Sequence, residues 1–254
     1  MRDFGAHHLK ANLFGFYQDF NDNTGNAGAT YDFRRIYSGF EVQYDYDKRY
    51  ALKFDLGYSG SDYFPSGNRF LWTPGVSAAW IVSNESFVKE SLPWLTMAKP
   101  RISYAITGND AIEQNRYGYL DQVSVSGGGP IGYLGYTTTE TAFGNSNLKP
   151  ESIKKYNVGL DLGFANQLSL SVDFFKETMD DGVYRSTSLI PSYQGISLGA
   201  FPAINFAEYE NKGYEVELKY MKRFNKDWSF NLGGSVSYNK NKIINVGETP
   251  NDED

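Results

Sequence analysis

The chain has 254 residues, room for one large domain or two small ones. Charged residues make up 21% of it and the net charge is −6, so it lacks the basic footprint of a nucleic-acid binder. Cysteine is absent and the only histidines are His7 and His8, which excludes disulfides, thiolate metal sites and cysteine nucleophiles.

Taken in chain order, the sequence alternates with a period of two, the period of a strand with two different faces. Leu9, Ala11, Leu13 and Tyr17 open the series. Phe40, Val42, Tyr44 and Tyr46 follow, then Tyr50, Leu52, Phe54, Leu56 and Tyr58, with Glu41, Gln43, Asp45, Lys53 and Asp55 between them. A three-residue link, Asp47-Lys48-Arg49, predicts that Tyr46 pairs with Tyr50, Tyr44 with Leu52 and Val42 with Phe54. A two-residue link would throw the two apolar edges onto opposite faces. Val76, Ala78, Trp80 and Val82 continue less completely, as do Ile102, Tyr104 and Ile106. Later come Tyr156, Val158, Leu160 and Leu162, then Leu168, Leu170, Val172 and Phe174. Tyr214, Val216, Leu218 and Tyr220, and finally Trp228, Phe230, Leu232, Val236 and Tyr238, end the series.

Nine strands are predicted: 7–18, 34–46, 50–61, 70–82, 99–107, 152–163, 167–180, 211–222 and 226–240. Several exceed the five or six residues of an ordinary soluble strand and match the roughly 9–11 that cross a bilayer. Links 47–49, 163–167 and 223–227 are tight, whereas 19–33, 108–151 and 181–210 are long; 83–98 is expected to hold a short helical turn. Short turns at one end and long loops at the other are the signature of outer-membrane barrels. In lipid an antiparallel sheet must close on itself, with an apolar outer face and a wet inner one. No charge falls among the outward positions named above, and Tyr46, Tyr50, Tyr220 and Trp228 lie near strand ends, where interfacial rings belong. The fold class expected is therefore all-β, an antiparallel transmembrane β-barrel segment of about 9–10 long strands. Because single-chain bacterial barrels use even numbers, a tenth strand is expected either inside 117–136 or outside this sequence. A soluble β-sandwich, which also alternates, is the competing architecture. A small closed barrel or secreted β-protein serving glycan binding or adhesion is the competing function.

The sequence has no apolar run of 18 residues, and "MRDFGAHHLKANLFGF" at its start lacks the uninterrupted core of a signal peptide. The terminal "VGETPNDED" reads as a truncated loop.

Four ordered segments resemble the SusC/RagA-like family of TonB-dependent outer-membrane transporters. These are "RFLWTPGVSAAWIVSNESF" (69–87), "KPRISYAITGND" (99–110), "NLKPESIKKYNVGLDLGF" (147–164) and "ENKGYEVEL" (210–218). The resemblance covers about residues 34–246. It implies a barrel of about 22 strands around an N-terminal plug. It also implies coupling to the TonB complex through a missing N-terminal region, and a SusD-like surface lipoprotein as cap. The implied cargo is an oligosaccharide or peptide, and the implied location the Gram-negative outer membrane. Residues 1–254 then form part of such a barrel, with plug, signal peptide and terminal strands expected outside it.

Catalytic signals are weak. No G-x-S-x-G, H-E-x-x-H or P-loop pattern occurs, and "GGGP" (127–130) lacks the following Lys-Ser/Thr. "DFNDNTGNAGAT" (19–30) has Thr24 and Thr30 where a calcium loop needs Gly and Glu, so a solvated turn is expected. No enzyme activity, metal or cofactor is expected. Glu41, Asp45, Asp55, Asp161, Asp173, Glu215 and Glu217 are expected on the lumenal wall. Candidate ligand- or partner-binding residues are the loop aromatics Tyr117, Tyr119, Tyr133, Tyr136, Phe143, Tyr193 and Phe201, which either stack on sugars and anchor a cap or pack the loops together.

Overall fold

The computed structural model describes residues 2–21, 32–110, 117–127, 136–185, 193 and 198–247. Its strands are β1 (Arg2–Phe4), β2 (His7–Asn21), β3 (Asp32–Tyr46), β4 (Tyr50–Ser61), β5 (Phe70–Trp80) and β6 (Leu95–Asn109). They continue as β7 (Gln122–Gly127), β8 (Tyr136–Ala142), β9 (Glu151–Phe164), β10 (Leu168–Tyr184), β11 (Ile204–Arg223) and β12 (Ser229–Asn245). One short helix, α1 (Ser86–Ser91), lies between β5 and β6, within the segment expected to hold a helical turn.

Ten strands form one antiparallel sheet in the order β1-β2-β3-β4-β5-β6-β9-β10-β11-β12, while β7 and β8 pair apart as a hairpin. The sheet is thus a meander with a single insertion between β6 and β9. Tyr46 pairs with Tyr50, Tyr44 with Leu52 and Val42 with Phe54, the register that the three-residue link demands. Asp47 and Lys48 take φ of 53° and 55°, and the Arg49 amide donates to the Tyr46 carbonyl at 2.9 Å. This is a type I′ turn with one extra residue. Ala165 and Asn166 repeat it at φ 50° and 54°, with the Gln167 amide 2.9 Å from the Phe164 carbonyl. Pairing of β5 with β6 runs only from Gly75–Ala105 to Ala79–Arg101 and stops at Pro74, which has no amide hydrogen for the ladder.

Three expectations need correcting. The segment 108–151 is not simply a loop, since it holds β7 and β8; the expected strand inside 117–136 exists as β7, but in this separate hairpin. The tenth strand of the main sheet is instead β1. The segment 181–210 is shorter as a loop than expected, because β10 runs on to Tyr184 and β11 begins at Ile204. Tyr184 pairs with Ile204 on β11, and its ring lies 6.0 Å from that of Phe206, in the register shift beside it.

The two faces of the sheet differ as the alternation predicts. Leu160 and Leu218 are 38% and 48% exposed, so no second layer of the described residues covers the apolar face. Two aromatic rows bound that face. At the tight-turn end Tyr50 stacks on Trp80 at 6.2 Å and lies 6.4 Å from Tyr46, Trp94 stacks on Phe164 at 5.9 Å, and Tyr220 meets Phe230 at 6.2 Å. At the long-loop end Tyr58 contacts Trp72 at 4.5 Å and Tyr104 contacts Tyr156 at 4.8 Å. There Tyr214 bridges Phe174 and Tyr238 at 6.4 and 5.7 Å. On β9 the span from Tyr156 to Phe164 is about 27 Å along the strand, or about 20 Å deep at the usual barrel tilt, close to the apolar band of such barrels. Fully buried side chains are few and cluster beyond the upper row, where Phe64, Leu148 and Ala203 form a small core with Tyr63 and Val183.

Candidate functional site at the long-loop end

The segments emerging from the upper rim hold one another in place. Tyr117, at φ 63°, starts a turn closed by the Leu120 amide on its carbonyl at 2.8 Å. The Asn145 amide donates to the Gly118 carbonyl at 3.0 Å, and the Gly144 amide to Asp121 at 2.8 Å. A Cβ on Gly144 would lie 2.5 Å from the Leu120 backbone, so glycine permits this close approach. Phe143 donates its amide to the Ala200 carbonyl at 2.7 Å, and the Asn145 side chain donates to the Ala203 carbonyl at 2.9 Å. Asn205 ties the base of the platform, accepting from the Lys149 amide at 3.0 Å and donating to the Lys149 and Asp181 carbonyls at 2.8 and 3.0 Å. Glu151 bridges β6 and β10 by accepting from the Asn109 side chain and the Val183 amide, both at 2.8 Å.

A cleft of about 420 Å³ opens at this rim between Tyr117, Tyr119, Arg34, Arg35, Arg69 and Asp62. The rings of Tyr117 and Tyr119 meet edge to face at 5.9 Å. Arg35 lies 3.2 Å from Asp110 and 4.4 Å from the Phe33 ring centroid; Arg34 lies 3.4 Å from Asp19. Arg69 donates to the Phe64 carbonyl at 3.4 Å and pairs with no carboxylate among the described residues. Two ring faces beside guanidinium groups can stack on a sugar or peptide group while accepting a negative oxygen.

The loop aromatics singled out from sequence fall into separate places. Tyr117 and Tyr119 share the cleft. Phe143 and Phe201 are half-buried where the loops pack, whereas Tyr193 is 87% exposed. Tyr136 begins β8, and Tyr133 lies outside the described residues, as does most of 19–30 and of the GGGP stretch. Sequence reading missed Arg34, Arg35 and Arg69; their signal was a pair and a single Arg flanking strands that end in aromatic residues.

Below the rim, the lumenal face carries the charges. Arg101 on β6 reaches Asp161 on β9 at 3.3 Å and Asp173 on β10 at 2.5 Å, with Lys99 3.5 Å from Asp161. Lys53 joins Glu41 at 2.9 Å and Asp55 at 3.1 Å, and Asn12 donates to Glu41 at 2.8 Å. Lys155 meets Glu177 at 2.9 Å. Among the described residues no group of three or more His, Asp and Glu is placed to hold a metal.

At the opposite end Glu85, just ahead of α1, is 7% exposed and accepts from Arg49 at 2.8 Å, the Tyr50 hydroxyl at 2.8 Å and the Trp80 indole at 3.0 Å. These donors, Trp80 first, hold its carboxyl below the ordinary range.

An open meander with a lipid-type band between aromatic rows, a charged opposite face and loops gathered at one end defines a segment of an outer-membrane β-barrel. The chain belongs to the TonB dependent receptor-like β-barrel family, whose model matches residues 2–254. It is 31% identical over 214 residues to TonB-dependent receptor P3 of Formosa agariphila and 29% identical over 210 residues to TonB-dependent receptor SusC of Bacteroides thetaiotaomicron. Each alignment covers 81% of this chain but 20% of the relative, so the chain spans about a fifth of their length. Its fold is similar to the RagAB peptide importer in the open-open state, with TM-score 0.80, 22% identity, and coverage of 98% of this chain and 29% of that one. It is also similar, at TM-score 0.53 and 15% identity, to the siderophore receptor PirA from Pseudomonas aeruginosa.

Proposed function

We propose that this chain is the barrel portion of a TonB-dependent nutrient importer that takes up an oligosaccharide or peptide beneath a SusD-like surface lipoprotein. Support comes from the family membership and from one feature of the rim. The Tyr117–Tyr119 pair shares a cleft at the upper rim with Arg34, Arg35 and Arg69, bordered by the outward-row side chains Tyr17, Ile36 and Phe70. Aromatic faces suit sugar rings and peptide planes, and guanidinium groups suit the carboxylate of a peptide end or acidic sugar. The loop platform around the cleft is the surface on which a cap would rest. The chain's own residues do passive work, with conformational energy supplied through a plug and the TonB complex.

The test uses the complete receptor in its host. Deleting the receptor gene should abolish growth on one class of polymer, either oligosaccharides or peptides, as sole nutrient. Reintroducing the receptor with Tyr117→Ala and Tyr119→Ala should restore membrane levels while leaving uptake at least tenfold slower. A deletion strain that takes up both classes normally would refute the importer reading. Full activity of the double variant would remove the cleft from it.

A further inference from the structure

Beyond the upper aromatic row, the outward side of β9–β12 turns strongly cationic. Phe174, Tyr214 and Tyr238 are cross-strand partners in that row. The next outward row runs from Tyr156 through Lys176 and Lys212 to Lys240, each the cross-strand partner of the one before. One row further, Lys154 pairs with Thr178, Thr178 with Glu210, and Glu210 with Lys242. Like charges directly opposite one another on a sheet are unfavourable unless something compensates them. Within the chain, Glu210 compensates only part: it lies 2.7 Å from Lys176 and 3.1 Å from Lys212, while Asp180 pairs with Lys154. Lys240 and Lys242 lie exposed on β12 and pair with no carboxylate among the described residues. At the tight-turn end, the outward strand positions of these four strands carry a single lysine, Lys222.

The depth of these rows is informative. Each lies about 7 Å further along the strand than the last. The headgroup zone on one side of a bilayer is about 5–7 Å thick beyond the hydrocarbon. The lysine rows therefore run from the level of the Tyr156 ring, one row above Phe174 and Tyr214, into the headgroup zone. We infer that Lys176, Lys212 and Lys240, with Lys154 and Lys242, form a docking surface for phosphate-bearing headgroups of outer-leaflet lipid. Charge complementarity carries the inference, because a row of phosphates relieves the repulsion that Glu210 leaves. A lipid anchored here would also fix how deeply the loop platform stands above the membrane.

The test uses the complete receptor in nanodiscs of phosphatidylethanolamine doped with bisphosphorylated lipid A, and native mass spectrometry reads retained lipid. Wild type should retain lipid A and lose at least tenfold of it when the lipid is enzymatically dephosphorylated. The triple variant Lys176→Gln, Lys212→Gln, Lys240→Gln should show the same loss, and the triple Lys→Arg variant should not. A heat-modifiable gel shift verifies folding; if the glutamine triple does not fold, Lys240→Gln alone, with a severalfold loss, takes its place. Equal retention of phosphorylated and dephosphorylated lipid, or unchanged retention in the glutamine variants, would overturn the inference. Displacement of the lipid by millimolar inorganic phosphate would also overturn it, since that would mark a free-anion site.

Discussion

Arg101 and Asp173 belong to strands that are not neighbours, yet their side chains meet at 2.5 Å across β9. The crossing is possible because both residues register with Gly159, which leaves the lumenal surface of β9 bare at that point. A Cβ there would lie 2.5 Å from the Arg101 Cζ atom and 2.8 Å from Asp173 Oδ1. Gly159→Val should therefore break the bridge, and Arg101→Ala should remove most of the harm that the valine does. A double-mutant cycle on the heat-modifiable gel shift should give a coupling of about 1–2 kcal/mol. Strict additivity would mean that Gly159 matters for another reason.

Leu160→Arg and Asp161→Asn change adjacent residues on opposite faces. The arginine at mid-depth should cost about 2–4 kcal/mol and sharply reduce folded receptor in the outer membrane. The asparagine should leave insertion near wild type. Comparable membrane yields for the two variants would contradict the assigned facing.

Glu85 predicts an acid response. Its carboxyl is held low by Trp80, Tyr50 and Arg49, so the folded state favours the ionised form. Such a group contributes stability at pH above the ordinary carboxylate value of about 4.3, and loses it as pH falls through the depressed folded value. Glu85→Gln should be less stable than wild type at neutral pH, and the gap between their thermal midpoints should narrow as pH falls below the ordinary carboxylate value. A constant gap across this range would show that Glu85 acts through packing alone.

Phe64 is fully buried at the centre of the small core under the loops, against Leu148 and Ala203. Phe64→Ala should cost about 3–5 kcal/mol locally. The loss belongs to the platform and not to the barrel. Limited proteolysis should cut 117–121 or 198–203 much faster, while the gel-shift temperature of the barrel changes little.

The membrane-crossing part of the fold was legible because lipid imposes a strict rule on every second side chain. Tyr46 through Tyr50 set the register, and Leu160 and Leu218 revealed the facing. Where the strands rise out of lipid the rule lapses. Glu208 and Glu210 on β11, and Asp180-Asp181-Gly182 on β10 where the register shifts, interrupt the apolar alternation, so β10 and β11 were expected to be shorter. The hairpin β7–β8 was hidden for a related reason: QVSVSG and YTTTETA are short and mostly polar, with little apolar periodicity to mark them. The cleft was half legible. Tyr117 and Tyr119 were visible as loop aromatics, but nothing local links them to Arg69, which only the folded rim brings near.

Four neighbouring strand pairs of this sheet are joined by links of two to five residues, but β6 and β9 find each other only after 41 intervening residues, 110–150. Closing that span costs about 2 kcal/mol more chain entropy than closing a three-residue turn. It also precedes any reward from the ladder itself. In a wall zipped up strand by strand, this join is the slow one, and substitutions in the β6–β9 ladder should delay assembly more than equal damage at β3–β4.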